Sequence, residues 1–521
     1  MPKQRIATAA LLTRGQGHDV EVLVVRRNPV LRFFGGYWAF PGGGVDEADH
    51  DGDPDLDVAH QRCALRELFE EVGLLDASLE AAAGLREGLL ERDSGPASAR
   101  FRGVLDDVPD QDAFLGLVRP FARLTTPPFA PVLYRTRFVH VACESVNQPG
   151  FEPSVIEGEL VDGEFVRPDE LLETWRRGER LVAPPVVFML EHLAALGLEA
   201  FLERMPALAQ SLEEGRLHPI RNVPGIIMAP LATETLPPAT TTNAYLVGEE
   251  RFYVVDPAPV DEAEQARLFE LIDERIAGQD HDGVSRPRDF VGVLLTHHHP
   301  DHVGAVDATA RRYDVPVLAH PETFARLSLA AENQRELMDG VELPLGTAPD
   351  GSRGWTLTAL HTPGHAPGHL AFRDSRYGAV LAGDLVSTVS TIVIDPPEGN
   401  MAEYLGSLER MAGLAGEGCV LHPAHGPVAS DGRAVLHRYL EHRQRREDSL
   451  VSALPQGEIR GETRGEEPSP MQESDLVAHV YADVDERLFP IAARSLRAGL
   501  EKLRDEGLAV EVSPGAWRRP R

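Results

Sequence analysis

Seven consecutive residues, Thr296-His297-His298-His299-Pro300-Asp301-His302, put four imidazoles and one carboxylate into a single turn. Alternate positions His297 and His299 can aim two ring nitrogens at one point, and Asp301 and His302 can aim at a neighbouring one. Neutral imidazole nitrogen and carboxylate oxygen suit Zn²⁺, with no thiolate needed. Alone, the run also reads as a histidine-rich surface loop. Three further clusters argue against that: His361-Thr362-Pro363-Gly364-His365, Gly383-Asp384, and His422-Pro423-Ala424-His425-Gly426-Pro427.

Each cluster follows a stretch that reads as a strand. Phe290-Val291-Gly292-Val293-Leu294-Leu295 is short, apolar and without alternation, as a strand buried on both faces should be. Residues 355–360, 378–383 and 418–421 stand in the same relation to the other three clusters. Four strands that each deliver a metal-type side chain past the carboxyl end match a common location of sites in α/β proteins.

The order His-x-His-x-Asp-His, Pro-Gly-His, Gly-Asp and a late His-Gly-Pro resembles the metallo-β-lactamase fold superfamily. The resemblance implies an αββα sandwich with two Zn²⁺ at one edge. By motif position it implies that His297, His299 and His365 hold the first metal and Asp301, His302 and His425 the second. Asp384 would bridge them, and Asp301 would also be catalytic. A carboxylate can span metals about 3.5–4 Å apart, and water in the open position then has a pKa of about 7. For His298, His361, His369 and His422, hydrogen bonding behind the ligands or solvent contact is expected rather than ligation. Asp256, before Pro257, reads either as support behind the metals or as a turn cap.

A second set of chemical residues lies near the start. The strand 21–25 leads through Arg26 and Arg27 to a glycine-rich loop, Phe33-Phe34-Gly35-Gly36-Tyr37-Trp38-Ala39-Phe40-Pro41-Gly42-Gly43-Gly44. Further on comes Ala64-Leu65-Arg66-Glu67-Leu68-Phe69-Glu70-Glu71-Val72-Gly73-Leu74. On a helix Glu67, Glu70 and Glu71 share one face, an arrangement that opposes the helix unless a cation neutralises it. The alternative is a solvated acidic face. Pro-Gly-Gly followed by Arg-Glu-Leu-x-Glu-Glu-x-Gly-Leu resembles the Nudix hydrolase box, in a style similar to coenzyme A diphosphatases. That implies Mg²⁺ or Mn²⁺ on Glu67, Glu70 and Glu71, with Glu67 and Glu71 catalytic and Arg66 orienting the carboxylates. The family's earlier box glutamate is replaced by Val58, and 46–58 looks like an acidic insertion. Glu159 resembles a late acidic position and is a further metal or base candidate.

At 521 residues the chain suggests three domains. These are 1–205, Nudix-like; 215–430, metallo-β-lactamase-like; and 431–521, winged-helix-like. The fold class is α/β multidomain: a Nudix α/β/α sandwich, an αββα sandwich and a small C-terminal domain. The last is expected from helices at 437–454, 473–481 and 490–506, a polar loop at 457–470 and a hairpin at 509–517. It resembles the domain following the metal site in lactamase-β-like endoribonucleases, which residues 394–409 also resemble. This segment holds 15 Lys and Arg against 17 Asp and Glu, a net of −2 beside −31 for the whole chain. Its late arginines Arg494, Arg497, Arg504, Arg518 and Arg519 permit phosphate contact, while a packing lid or dimer surface is the favoured alternative.

The overall charge argues against general nucleic-acid or membrane-surface binding but leaves a local basic groove open. Three cysteines form no framework, which points to a reducing, cytoplasmic setting. The apolar start, residues 6–12, is too short for a signal-peptide core, and no run spans a membrane. The leading functional expectation is a two-site hydrolase. It joins a binuclear-zinc phosphodiesterase of endoribonuclease type to a Mg²⁺-dependent Nudix diphosphate hydrolase. One alternative is a thioesterase of glyoxalase II type, which His365-Ala366-Pro367-Gly368-His369 also resembles, coupled to a coenzyme A-directed Nudix domain. Another is a nucleotide- or RNA-binding protein with an inactive Nudix domain. The partners to match are a small phosphate or thioester substrate or single-stranded RNA, with no membrane and with a homodimer left open.

Overall fold

The strand Gln4–Arg14 lies in the middle of the first sheet because its side chains alternate between two apolar layers. Leu11 joins one buried cluster and Ala10 and Leu12 the other. The structure is a computed structural model describing residues 4–31, 34–90, 95–130, 132–278, 286–456 and 469–520. Phe33 and most of the expected 457–470 loop lie outside these residues. The chain divides into two compact units, one of Met1–Pro230, Ala266–Asp289 and Thr347–Ser352, the other of Leu231–Gln265, Phe290–Gly346 and Arg353–Arg521.

In the first unit seven strands form one sheet, with Gln4–Arg14 parallel to Leu133–Ala142 and antiparallel to Glu21–Arg27. Helices cover both faces. Pro168–Arg176, Pro184–Leu196 and Leu198–Glu213 pack on the Leu11 side, and Asp57–Glu67 on the Leu12 side. This is the α/β/α sandwich expected. The boundary set at 205 falls inside the helix Leu198–Glu213, which continues through Pro206.

In the second unit the hairpin Thr241–Val247 and Arg251–Val255 is antiparallel, and the sheet continues through Asp289–Leu294, Val317–Ala319 and Gln334–Glu336. A five-stranded sheet runs Glu342–Thr347, Arg353–His361, Leu370–Asp374, Val380–Gly383 and Leu421–Pro423. Helices Met401–Leu414 and Gly432–Ala453 bury Tyr404, Leu408, Met411 and Leu436 against it. The fourth strand starts at Leu421 rather than Gly418 and already contains His422. Helices Glu473–Val480 and Phe489–Asp505 follow, with a three-stranded sheet of Met471–Gln472, Val510–Ser513 and Ala516–Arg518 around buried Trp517. Among the described residues no helix is long and apolar enough to cross a membrane.

Candidate metal centres

The strand Asp289–Leu294 ends at the turn starting with Thr296, and the short helix Pro300–Val303 carries Asp301 and His302. Three groups of donor atoms lie mutually within 4.8 Å: His297, His299 and His365; His297, His302 and Asp384; Asp301, His302 and His425. Asp384 faces both sides. Its Oδ2 is 3.4 Å from His365 Nε2, while Oδ1 is 3.3 Å from His425 Nε2 and 3.7 Å from His302 Nε2. Asp301 Oδ2 is 3.5 Å from His425 Nε2. All seven residues singled out in the sequence therefore meet.

The ring nitrogens turned away from the centre decide what the inner ones can do. Thr296 Oγ1 donates to Asp256 Oδ2 at 2.6 Å, so its lone pair accepts Nδ1–H of His297 at 2.9 Å. His302 Nδ1–H donates to the same Asp256 oxygen at 2.9 Å. His365 Nδ1–H donates to the Val393 carbonyl at 2.9 Å, and His425 Nδ1–H to the Thr241 carbonyl at 3.0 Å. Each partner fixes a tautomer that leaves an Nε2 lone pair pointing inward. Asp256 takes a positive φ of 48° and accepts Thr296 N–H at 2.8 Å, so it supports the centre from behind.

His302 Nε2, His365 Nε2 and Asp384 Oδ1 are buried without a hydrogen-bond partner among the described residues. Buried polar atoms are normally satisfied, and converging imidazole and carboxylate donors are the set that a pair of Zn²⁺ ions satisfies. The residues present fit the metals that the motif implies. Burial, then neighbouring imidazoles, holds His297 well below the usual imidazole range and His299 down at about 2. Burial also lowers His365 against the pull of Asp384. At His302 and His425 burial acts downward, but Asp384 outweighs it and raises both. Burial would raise Asp384, yet His425 and His302 hold it well below the carboxylate range. This carboxylate calls for positive charge.

The neighbouring histidines have other partners. His369 Nε2 accepts Asp384 N–H at 3.0 Å, its Nδ1 meets Thr362 Oγ1 at 2.8 Å, and burial keeps it neutral with a pKa of about 3. Gly383, at φ 50°, permits this approach: a Cβ there would sit 2.7 Å from His369 Nε2. His361 Nε2 donates to the Pro367 carbonyl at 2.8 Å, and His422 is buried edge-on to Tyr245. His298 meets Glu398 at 2.9 Å, and with His299 this pair makes a further group within 4.8 Å.

The glutamates of the first unit are arranged differently. The helix Asp57–Glu67 gives way to a π-turn, Leu68–Val72, capped by Gly73 at φ 80°. The wider turn changes the spacing from that of an α-helix, while Glu67 still repels Glu70 and Glu71 across it. Arg66, 4% exposed, bonds Glu67 Oε1 at 2.8 Å and Glu70 Oε2 at 3.2 Å. Glu71 Oε2 instead accepts Gly42 N–H at 2.8 Å. Gly43 lies so close that a Cβ would come within 2.3 Å of Glu67 Oε1. Burial raises all three carboxyls; at Glu67 it does so against the pull of Arg66, while repulsion from Glu67 adds to the rise at Glu71 and at Glu70, which reaches about 7. Among the described residues, no group of three donor atoms within 4.8 Å falls in this unit. Glu159 pairs with Arg27 at 2.8 Å, and Arg26 is exposed.

Asp49 is a residue that the sequence reading missed. It is buried at the end of a capped turn in the acidic insertion and grips Arg66 through both oxygens, at 2.8 and 3.2 Å. It holds Arg66 from outside the Nudix-like stretch, where Val58 has no carboxylate to offer.

The chain matches the description "Metallo-beta-lactamase superfamily" over residues 237–420, "NUDIX domain" over 3–184 and "Beta-lactamase associated winged helix domain" over 473–517. It is 31% identical over 290 residues to lactamase-like protein nscB of Arthroderma otae, covering 53% of this chain and 78% of that protein. It is 28% identical over 281 residues to the atrochrysone carboxyl ACP thioesterase of Aspergillus chevalieri, covering 53% and 80%. Among solved structures, a NUDIX hydrolase from Alicyclobacillus acidocaldarius is 28% identical with a TM-score of 0.30, covering 37% of this chain and 93% of that one.

Proposed function

The chain belongs to the metallo-β-lactamase superfamily and carries a Nudix domain, which makes it a metal-dependent hydrolase, and from that premise we propose that its second unit hydrolyses a thioester. The observation carrying the reading is the convergence of His297, His299, His365, Asp301, His302 and His425 about Asp384. Two zinc ions held there would supply a Lewis acid and hydroxide at neutral pH. Asp301, the more exposed of the two carboxylates, is assigned to receive the proton of the attacking water. Water oxygen bonds to the carbonyl carbon, the C–S bond breaks, and the proton passes to the leaving thiolate, giving a carboxylic acid and a thiol.

Two observations favour sulfur over phosphorus. One matched relative is named an ACP thioesterase. The late arginines on which an RNA reading leaned are also engaged within the protein. Arg494 pairs with Asp395, Arg497 with Glu473, Glu501 and Glu511, and Arg504 with Asp505, while Arg519 bonds the Val451 carbonyl. The winged-helix match favours a second reading, phosphodiester cleavage of single-stranded RNA. In the first unit, Glu67, Glu70 and Glu71 are proposed to hold Mg²⁺ or Mn²⁺ for hydrolysis of a substituted nucleoside diphosphate, with Glu67 and Glu71 catalytic.

The test incubates zinc-loaded protein with acyl-coenzyme A, acyl-glutathione and single-stranded RNA, beside Asp301→Asn. Thioester turnover lost in the variant is the expected result. RNA cleavage without thioester turnover would replace the first reading by the second.

A further inference from the structure

Outside the metal centres, a pocket of about 320 Å³ lies between residues 387–391 and the helix Gly432–Ala453. One wall carries three hydroxyls, Ser387, Thr388 and Thr391. The other carries Arg438, His442 and Arg445, spaced i, i+4 and i+7 so that they lie on one helix face. The two walls are tied together: Tyr439 Oη accepts Ser387 N–H at 2.8 Å and lies within 2.9 Å of the Ser390 carbonyl. The pocket also adjoins the metal centre. Ser387 follows Asp384 by three residues, a reach of at most roughly 11 Å. The His425 carbonyl accepts Thr388 N–H at 3.2 Å.

The arginines of this helix divide by use. Arg443 bonds the Ile392 carbonyl and stacks on Tyr404, and Arg446 pairs with Asp483. Arg438 has no ion-pair partner among the described residues, and Arg445 has only Glu441 at 4.0 Å, both side chains being 68% exposed. His442 Nδ1 is buried without a hydrogen-bond partner among the described residues. Ser387 Oγ and Thr388 Oγ1 donate to the His425 and Pro427 carbonyls, so the groups left for a ligand are two uncommitted guanidinium groups, an imidazole and the Thr391 hydroxyl, a recognition set for phosphate.

We propose that this pocket binds a phosphate group on the thiol half of the substrate, which makes the substrate a phosphopantetheine-class thioester. The inference rests on the thioesterase reading above. A compact pocket suits one phosphate on a flexible arm, whereas a polynucleotide needs a basic groove tracking its backbone.

The experiment compares acyl-pantetheine, acyl-4′-phosphopantetheine and acyl-coenzyme A bearing one acyl group, on the zinc-loaded full chain. R438A/R445A is assayed beside R433A, an exposed arginine of the same helix that does not line the pocket. Calorimetry with inorganic phosphate and pyrophosphate supplies a readout independent of turnover. In the unsubstituted protein, KM for the two phosphorylated thioesters should be roughly tenfold or more below that for acyl-pantetheine, as charge-assisted hydrogen bonds provide. The gap should close in R438A/R445A and persist in R433A, and calorimetric phosphate binding should vanish with it. Equal KM values across the series in the unsubstituted protein overturn the pocket while leaving thioester hydrolysis standing. If no thioester is cleaved the thioesterase reading fails, and phosphate binding lost in R438A/R445A then still supports an anion site. RNA cleavage that falls in R438A/R445A while thioester KM values stay put overturns the assignment in favour of a polynucleotide.

Discussion

In the second unit four inward imidazoles each have the far nitrogen tied to a separate oxygen, of Thr296, Asp256, Val393 or Thr241. In the first unit three buried glutamates are held by Arg66 and the Gly42 amide, and burial raises their carboxyls. The difference is one of charge. The rise at His302 and His425 is balanced by Asp384. At His297 and His365, which burial lowers, a neutral imidazole satisfied on one side can wait in a dry site with its other lone pair aimed inward at small cost. Three carboxylates cannot, because each adds a desolvation cost and repels the others. Hydrogen bonds thus assemble the histidine centre, while an arginine and an amide occupy the glutamates where a cation would act. The first centre should retain its metal through dialysis, and the second should require Mg²⁺ in the medium.

The sharpest way to break this contrast is Asp384→Asn, which takes away the one carboxylate facing both histidine groups. The hydrolytic rate of the second unit should fall by about 10²–10³-fold, the scale of losing a preorganised electrostatic contact. Zinc content should drop from two per chain in metal analysis. Retention of both metals would mean that Asp384 does not bridge them. A smaller effect follows from Asp256→Asn, which touches no inward atom but weakens the acceptor fixing His302 and Thr296. A loss of about 10–100-fold in metal affinity is expected, read by competition with a chromogenic chelator. If affinity is unchanged, the preorganisation argument fails.

The same contrast explains what could be read in advance. The candidate ligands were legible because His297 through His302 lie in one turn, and because His365, Asp384 and His425 each follow an apolar strand. Their supports were not. The Val393 and Thr241 carbonyls belong to backbone remote in sequence and have no side-chain signature. The π-turn Leu68–Val72 was hidden because its residues suit an α-helix as well. Asp49 looked like one more acid in a loop of acids, since nothing local shows that it reaches Arg66. The late arginines show a related gap: charge counting sees Arg497 but not the three glutamates around it.

Asp49→Asn tests the glutamate side. It leaves Arg66 buried with Glu67 and Glu70 but without the bidentate partner. Breaking a buried pair outright costs about 3–5 kcal/mol, and with two partners remaining about 2 kcal/mol is expected. The loss should show in hydrogen exchange of the helix Asp57–Glu67, with recovery on adding Mg²⁺ if the glutamates then have their cation. A neutral result would make Arg66 independent of the insertion.

The smallest effect isolates what burial alone does to an imidazole. His140 in the first unit is 8% exposed, has Nε2 2.9 Å from Thr13 Oγ1, and belongs to no metal-type group among the described residues. Burial, then Arg119, lowers its pKa to about 4. Because the folded value lies below the unfolded one of about 6.5, unfolding takes up a proton. The contribution is therefore fully present above pH 6.5 and is lost as the pH falls toward 4. Between pH 7.5 and 5.5 this amounts to about 1 kcal/mol. His140→Gln keeps a hydrogen-bonding group for Thr13 but cannot titrate. Exchange protection in the strand Leu133–Ala142, corrected for intrinsic rates, should weaken less in the variant than in the unsubstituted protein over that interval. Identical weakening would mean that burial does not hold His140 neutral, and would undercut the idea that burial keeps His297, His299 and His365 of the second unit uncharged.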